Sequence, residues 1–157
     1  MSKTQIFKLI TSLVITLSVG AIAGLATSKS VSTWYTTLNP PSFNPPNWVF
    51  GPVWTTLYIL LGISLFLVWR EEDSGARNRA LLVFSVQLSL NFAWSFIFFY
   101  FHEIGWALLE IVLLLGSILL MLWHFRRIKP LAAYMNIPYL LWVGFAAALN
   151  AAYFWLN

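Results

Sequence analysis

Five long apolar runs dominate this chain, and they restrict it to one class of fold. An α-helix needs about 20 residues to cross the hydrocarbon layer of a bilayer, where only helices and closed barrels satisfy their own backbone hydrogen bonds. The chain is also 60% hydrophobic and only 9% charged, unlike a soluble domain. The sequence therefore predicts an all-α integral membrane protein, a bundle of five transmembrane helices in a single domain over residues 1–157. The helices are expected at about residues 6–26, 48–69, 80–101, 105–125 and 131–156.

Basic side chains are distributed unevenly at the ends of these runs. One side carries Lys3, Lys8, Arg70, Arg77, Arg79, Arg126, Arg127 and Lys129, and the other carries Lys29. Because cytoplasmic loops hold the excess of Lys and Arg, we expect a cytoplasmic N-terminus and an outer C-terminus, in a multi-pass protein of the bacterial cell membrane. The basic residues are scattered over helix ends rather than clustered on a polar face, so no nucleic-acid partner is expected.

The first run has two interpretations. Two lysines precede it and Ala21-Ile22-Ala23 has the form of a cleavage site, as in a secretory signal peptide. The run is nevertheless long enough to span a bilayer, and its removal would leave four helices, so we interpret it as the first transmembrane helix. Gly20 and Gly24 form a GxxxG pair that permits close approach of another helix, within the chain or in a dimer.

A proline-rich segment separates the first two runs. Pro40-Pro41 and Pro45-Pro46 exclude a helix from Asn39 to Asn47, because proline lacks the backbone donor and forces its predecessor into an extended conformation. Pro52 marks the start of the next helix, where proline is favoured. That helix presents aromatic side chains at i, i+4 and i+8, namely Phe50, Trp54 and Tyr58. We predict a stiff loop that caps a ligand pocket between the helices.

The third run has two distinct faces. Gln87, Asn91 and Trp94 share one side of a helix, and amides are costly against lipid, so they should face a cavity or bond to a neighbouring helix. The opposite side carries small residues that allow close helix contact, either within the bundle or across a homodimer. These are Ser85, Ser89 and Ala93.

The fourth run contains Glu110, the one acidic residue well inside a predicted span. It is expected to be neutral, to be paired with another side chain, to extend outward to the interface, or to contact a ligand. His102 and His124 lie about a bilayer apart and cannot share a metal. Since the chain also has no cysteine, no metal site is expected.

The fifth run combines large aromatic residues with one small gap on a single face, a pattern that suits a groove for a flat guest. Pro138 is expected to kink this helix. The alternative is ordinary packing of this face within the bundle. The face consists of Tyr139, Trp142, Ala146, Leu149, Asn150 and Tyr153.

Four motifs in this order resemble those of the TspO/MBR family, the tryptophan-rich sensory proteins and translocator proteins. They are WYxxLxxPxxxPPxWxFxxxWxxLY at Trp34–Tyr58, QxxxNxxWSxxFF at Gln87–Phe99, GWALxE at Gly105–Glu110 and PYLxWxxFAxxLN at Pro138–Asn150. The resemblance implies a five-helix homodimer that binds porphyrins, with no resident cofactor, and in bacterial members regulates tetrapyrrole metabolism and stress responses. It also implies a pocket lined by Tyr35, Pro45, Trp48, Phe50, Trp54, Tyr58, Asn91, Trp94, Trp142, Ala146 and Leu149.

Three functions follow from the resemblance. The leading hypothesis is a membrane receptor or carrier for tetrapyrroles or other flat hydrophobic molecules. The alternatives are light-dependent porphyrin degradation, with Trp54 and Trp142 as the catalytic pair, and transport of tetrapyrroles or sterol-like lipids. A conventional enzyme is not expected, because the residues show no Ser-His-acid set, metal cluster or phosphate loop. Animal members carry a basic residue after the tyrosine matching Tyr153, and its absence here argues against cholesterol as the native ligand.

Overall fold

The computed structural model describes residues 2–157, which form helices joined by short connections. The α-helices are α1 (Lys3–Val31), α2 (Phe50–Trp69), α3 (Gly75–Ser95), α4 (Ile104–Ile128), α5 (Pro130–Tyr134) and α6 (Ile137–Leu156). Five helical segments are long and apolar enough to cross a membrane, when α5 and α6 are counted as one. The predicted fold class, an all-α bundle of five such helices, is confirmed.

Helix ends differ from the apolar runs, because capping residues rather than hydropathy determine where a helix begins. Helix α1 starts earlier than predicted, since Ser2 and Gln5 form a reciprocal capping box. Helix α3 likewise starts at Gly75, where Ser74 Oγ accepts a hydrogen bond from the backbone of Arg77. At its other end α3 continues into a π-helical segment, Phe96–Tyr100.

The last predicted span is interrupted rather than continuous. Helix α5 ends at Tyr134 and α6 begins at Ile137, so Pro138 lies in the first turn of α6. A proline there interrupts no helical hydrogen bond, because the first amides of a helix have no intrahelical acceptor. The break is stabilised by Asn136, a buried residue whose Nδ2 donates to the carbonyl of Ala132 at 2.8 Å. The expectation that Pro138 kinks a continuous helix was therefore wrong.

Helices α1 and α2 lie unusually close together. A β-carbon at Gly62 would come within 2.7 Å of Thr16 Oγ1, and one at Gly20 would overlap the ring of Tyr58. Gly20 therefore serves contact within the chain. A β-carbon at Gly24 would meet nothing within 4 Å, so the two members of the GxxxG pair have different surroundings.

The packed core occupies the half of the bundle that contains the basic helix ends. Phe84 and Phe125 stack there with ring centroids 5.9 Å apart. Leu61, Ile118 and Met121 have no exposed surface. The other half, below the proline-rich segment, contains the candidate site.

Candidate ligand-binding site

A cavity of about 720 Å³ lies beneath the proline-rich segment, between α1, α2, α3 and α6. Its floor and sides are largely apolar, with a few hydroxyl and amide groups among them. Ligand pockets of roughly 300–1,000 Å³ enclose most of the surface of a drug-sized molecule. The cavity therefore has the size and the lining of a small-molecule site.

The proline-rich segment, residues 32–49, covers this cavity and is here called the lid. Its first part folds into a 3-10 turn, Trp34–Thr37, which buries Tyr35. The Tyr35 ring packs against Phe99 and Tyr153, with centroid distances of 5.7 and 5.2 Å. Its hydroxyl donates to Asn44 Oδ1 at 3.1 Å, which ties two parts of the lid together.

Burial raises the pKa of the Tyr35 hydroxyl well above its usual range. The neighbouring Tyr153 raises this pKa further, and the hydrogen bond to Asn44 partly offsets the shift. Tyr35 is therefore a neutral hydrogen-bond donor throughout the physiological pH range.

The lid is also attached to the end of α6. The backbone N–H of Asn39 donates to Asn157 Oδ1 at 2.8 Å, and Asn157 Nδ2 donates to the Asn39 carbonyl at 3.3 Å. Nearby, Phe43 on the lid packs against Phe145 of α6 with a centroid distance of 6.3 Å. Two separate contacts with α6 thus hold the lid over the cavity.

Aromatic rings from three helices form the cavity wall. Trp54 and Tyr58 of α2 are stacked at 5.6 Å, and Phe50 packs edge-on against Trp142 of α6 at 5.9 Å. From α3, Trp94 donates its indole N–H to Asn150 Oδ1 at 3.1 Å, which fixes the orientation of its ring. These rings offer flat apolar surfaces held in place by their neighbours.

The amides predicted on α3 take part in hydrogen bonds between helices. Gln87 Oε1 accepts from the Tyr139 hydroxyl at 2.9 Å, and Asn91 Oδ1 accepts from the Tyr58 hydroxyl. Both amide residues are buried and neither lines the cavity. Of the two interpretations, the structure favours hydrogen bonding to neighbouring helices over a cavity-facing role for these amides.

The small-residue face of α3 points away from the bundle. Ser85 and Ser89 are exposed, and their hydroxyls donate to carbonyls one turn earlier in the same helix. The prediction that these two serines pack closely inside the bundle is therefore wrong. A contact across a homodimer stays a prediction.

Most of the predicted site residues are brought together by the fold. Those in the cavity wall are Tyr35, Phe50, Trp54, Tyr58, Trp94, Trp142, Ala146 and Leu149. The remaining three, Pro45, Trp48 and Asn91, lie outside it. Trp48 is 75% exposed, because the 3-10 turn Asn47–Val49 directs Asn47 toward the cavity instead. Asn91 is separated from the cavity by the Tyr58 ring to which it is bonded, and Pro45 belongs to the extended part of the lid.

Helix α1 forms more of the wall than the sequence indicated. Its contribution begins at Leu17 and continues past Gly20 and Gly24 to Thr27 and Val31. The signal available in the sequence was the run of small residues in this half of α1, which leaves room beside the rings of α2. Sequence reasoning assigned both glycines to helix contact, which the structure bears out for Gly20 against Tyr58 but not for Gly24.

Part of the wall is also outer surface. Ala21 and Gly24 of α1, and Gly51 and Thr55 of α2, line the cavity and are exposed. The cavity therefore reaches the flank of the bundle between α1 and α2, in addition to the lid end.

Glu110 lies apart from this cavity. Its side chain is buried, and both carboxylate oxygens lack a hydrogen-bond partner among residues 2–157, so the expected pairing is not present there. His102 precedes the start of α4 and His124 lies near the other end of that helix, so the two are far apart, as predicted. Within the described chain no three His, Asp or Glu side chains are grouped so that they could hold a metal ion.

Comparison with known proteins gives consistent matches. The model of the TspO/MBR family matches residues 12–156. A tryptophan-rich protein TspO from Archaeoglobus fulgidus is 40% identical over 154 residues, covering 98% of this chain and 99% of its own. The translocator protein of Homo sapiens is 41% identical over 120 residues, covering 74% of this chain and 70% of its own. The tryptophan-rich sensory protein of Cereibacter sphaeroides is 34% identical over 117 residues, covering 74% of this chain and 72% of its own.

Proposed function

The chain belongs to the TspO/MBR family of multi-pass membrane proteins, and from that premise we propose that it is a receptor or carrier for porphyrins. In this role it binds protoporphyrin IX or a related tetrapyrrole and regulates tetrapyrrole metabolism or a stress response. The aromatic cavity beneath the lid is the observation that carries this proposal.

A porphyrin is a large flat ring, and the cavity wall supplies rings against which it stacks. Each aromatic pair contributes about 0.5–1.5 kcal/mol beyond the burial of apolar area. Trp54, Trp94 and Trp142 come from three different helices, so their rings surround a guest rather than meeting it from one side. That arrangement supports a planar ligand over a linear acyl chain.

The carboxylates of a porphyrin need polar partners at one edge of the ring. Asn47 and Ser32 of the lid and Thr27 of α1 line the cavity and supply them. Lys29, in the last turn of α1, adds the nearest positive charge along the chain. Asn91 does not take this role, because it is buried and does not line the cavity.

The expected orientation places the lid at the outer face of a bacterial cell membrane, because the basic residues gather at the other end of the bundle. The exposed small-residue face of α3 supports a homodimer through that helix.

The test is a titration of the purified protein with protoporphyrin IX in the dark. Saturable quenching of tryptophan fluorescence, with stoichiometry near one guest per chain, supports the proposal. Absence of quenching, or quenching that never saturates, rejects the tetrapyrrole assignment.

Light-dependent porphyrin degradation is the second candidate. It is favoured by Trp142, which lines the cavity beside Phe50 and whose buried indole Nε1 has no hydrogen-bond partner among residues 2–157. Illumination of the complex separates the two functions. A stable Soret band means binding alone, whereas its loss, abolished by Trp54→Phe or Trp142→Phe, means degradation.

A further inference from the structure

His102 has an unusual backbone conformation in the turn between the π-helical segment and α4. Its φ is +60°, and it is the one non-glycine residue with positive φ in the described chain, residues 2–157. A left-handed backbone costs a histidine free energy, and such residues persist where the surrounding contacts hold them. The contacts that hold His102 come from distant parts of the sequence.

The first contact is with the lid. The imidazole ring stacks on Trp34, the first residue of the lid's 3-10 turn, with centroids 4.2 Å apart and planes 17° from parallel. The second contact is with the end of α1, where His102 Nε2 and Ser30 Oγ share a hydrogen bond of 3.2 Å. Ser30 is 5% exposed, so this bond is shielded from water on one side. One side chain thus joins the α3–α4 turn to the end of α1 and to the start of the lid's first turn.

His102 lies two residues after the π-helical segment that forms part of the cavity wall. In the π-helical segment the N–H of Phe101 donates to the carbonyl of Phe96 at 2.9 Å, and that of Glu103 donates to Ile97 at 3.0 Å. This wider turn directs Phe98 and Phe99 into the cavity. π-Helical turns occur frequently at functional sites.

The lid and this wall also touch directly. Trp34 packs edge-on against Phe98 with centroids 5.7 Å apart, so the ring that His102 stacks on also meets the cavity wall. We propose that His102 is a positioning residue that holds the lid closed and couples it to the π-helical wall. Release of the ring from Trp34 loosens the first turn of the lid and the Phe98–Phe99 wall together, while the contacts with α6 still hold the rest of the lid. The inference rests on the proposed function only for the identity of the guest, because it concerns access to the cavity.

The chain contains no cysteine, which permits a direct test with single reporter thiols. Ser95→Cys places a thiol in the cavity wall beneath the lid, and Thr36→Cys places one on the exposed surface of the lid. Each is labelled in lipid nanodiscs with a sulfonated methanethiosulfonate, whose charge excludes the route through lipid between α1 and α2. The ratio of the two labelling rates reports how often the lid opens.

We expect His102→Asn to raise the labelling rate at position 95 roughly two- to tenfold, the range that follows from losing one aromatic pair. Asparagine tolerates the left-handed backbone, so the change removes the ring without forcing a new turn. Labelling at position 36 should stay unchanged. An unchanged rate at position 95 overturns the proposal.

Three further variants distinguish the effect of the imidazole ring on lid opening from the effect of the backbone conformation. His102→Gly relieves the positive φ, yet it should open the lid as His102→Asn does. His102→Phe keeps the stacking on Trp34 and should retain most of the closure, and Ser30→Ala should show the smaller effect of the hydrogen bond alone. Equal labelling in the Gly, Asn and Phe variants would show that the ring has no positioning role.

The labelling result is independent of the pigment. If protoporphyrin IX does not bind but His102→Asn still exposes position 95, the proposed ligand fails and the positioning role stands. If protoporphyrin IX binds and the His102 variants are labelled at position 95 as slowly as the parent chain, the positioning role fails and the proposed function stands.

Discussion

The two halves of the bundle are both largely apolar but are packed in opposite ways. In the half with the basic helix ends, Phe84 and Phe125 stack at 5.9 Å and Ile118 is fully buried. In the half below the lid, the same helices surround a cavity of about 720 Å³. The wall of the hollow half includes small residues such as Gly24 and Ala146, whereas leucine and phenylalanine fill the other half.

The comparison shows where each half obtains its stability. The filled half depends on close packing between helices, which loses free energy whenever a group is removed. The hollow half depends on oriented aromatic pairs and on the lid contacts, such as the reciprocal amide bonds of Asn39 and Asn157. Substitutions should therefore change folding in one half and ligand binding in the other.

The largest expected effect is in the filled half. Phe125→Ala should lower the free energy of unfolding by about 3–5 kcal/mol, because it removes a fully buried ring and leaves a cavity. The matched change Phe154→Ala, at a residue 49% exposed, should cost far less. Unfolding in mixed micelles measures the free energy of unfolding of both variants. Similar losses for Phe125→Ala and Phe154→Ala would contradict the stronger dependence of the filled half on close packing.

The next effect is at the contact between α1 and α2. Gly20→Ala should destabilise the fold by about 1–3 kcal/mol, because its β-carbon would overlap the ring of Tyr58. Gly24→Ala, four residues later, has open space and should be neutral or slightly stabilising. Thermal unfolding of the pair decides this, and equal melting temperatures would contradict the close contact at Gly20.

Ala146→Leu should act on binding rather than on folding. The larger side chain would fill part of the cavity beside Trp142 and weaken protoporphyrin binding by about tenfold, which corresponds to about 1.4 kcal/mol. Ala148→Leu, on the exposed side of the same helix, is the matched control and should bind normally. Unchanged affinity of Ala146→Leu in the quenching titration would exclude this part of the wall from the site.

The smallest effect is expected at Trp48. Since its side chain is 75% exposed and lies outside the cavity, Trp48→Ala should leave porphyrin affinity within about twofold, because an exposed side chain away from the site makes no contact to lose. Trp54→Ala, in the wall, should weaken binding measurably in the same titration. A strong loss from Trp48→Ala would show that the lid rearranges around the guest.

The sequence predicted those features that depend on local chemistry. Hydropathy located the spans, and the paired prolines located the lid, because both signals are properties of neighbouring residues. Helical periodicity also grouped Trp142, Ala146 and Leu149 on one face, and the structure places all three in the wall.

The features that sequence reasoning missed depend on contacts between distant residues. Asn91 was assigned to the pocket because it shares a face with Trp94, but the hydroxyl of Tyr58 on another helix takes its side-chain oxygen. Trp48 was assigned through a motif, but the 3-10 turn that directs it outward is not visible in the residue pattern. The break before α6 depends similarly on how Asn136 is bonded once buried.

The gap in the wall between α1 and α2 has a thermodynamic consequence. Ala21 and Gly24 on one helix and Thr55 on the other line the cavity and are exposed, so we expect a guest bound at this gap to contact acyl chains. A hydrophobic guest dissolved in the bilayer then exchanges with the site from that phase, and its mole fraction in lipid, rather than its aqueous concentration, determines occupancy. Apparent dissociation constants should accordingly rise in proportion to the amount of lipid added at constant total guest.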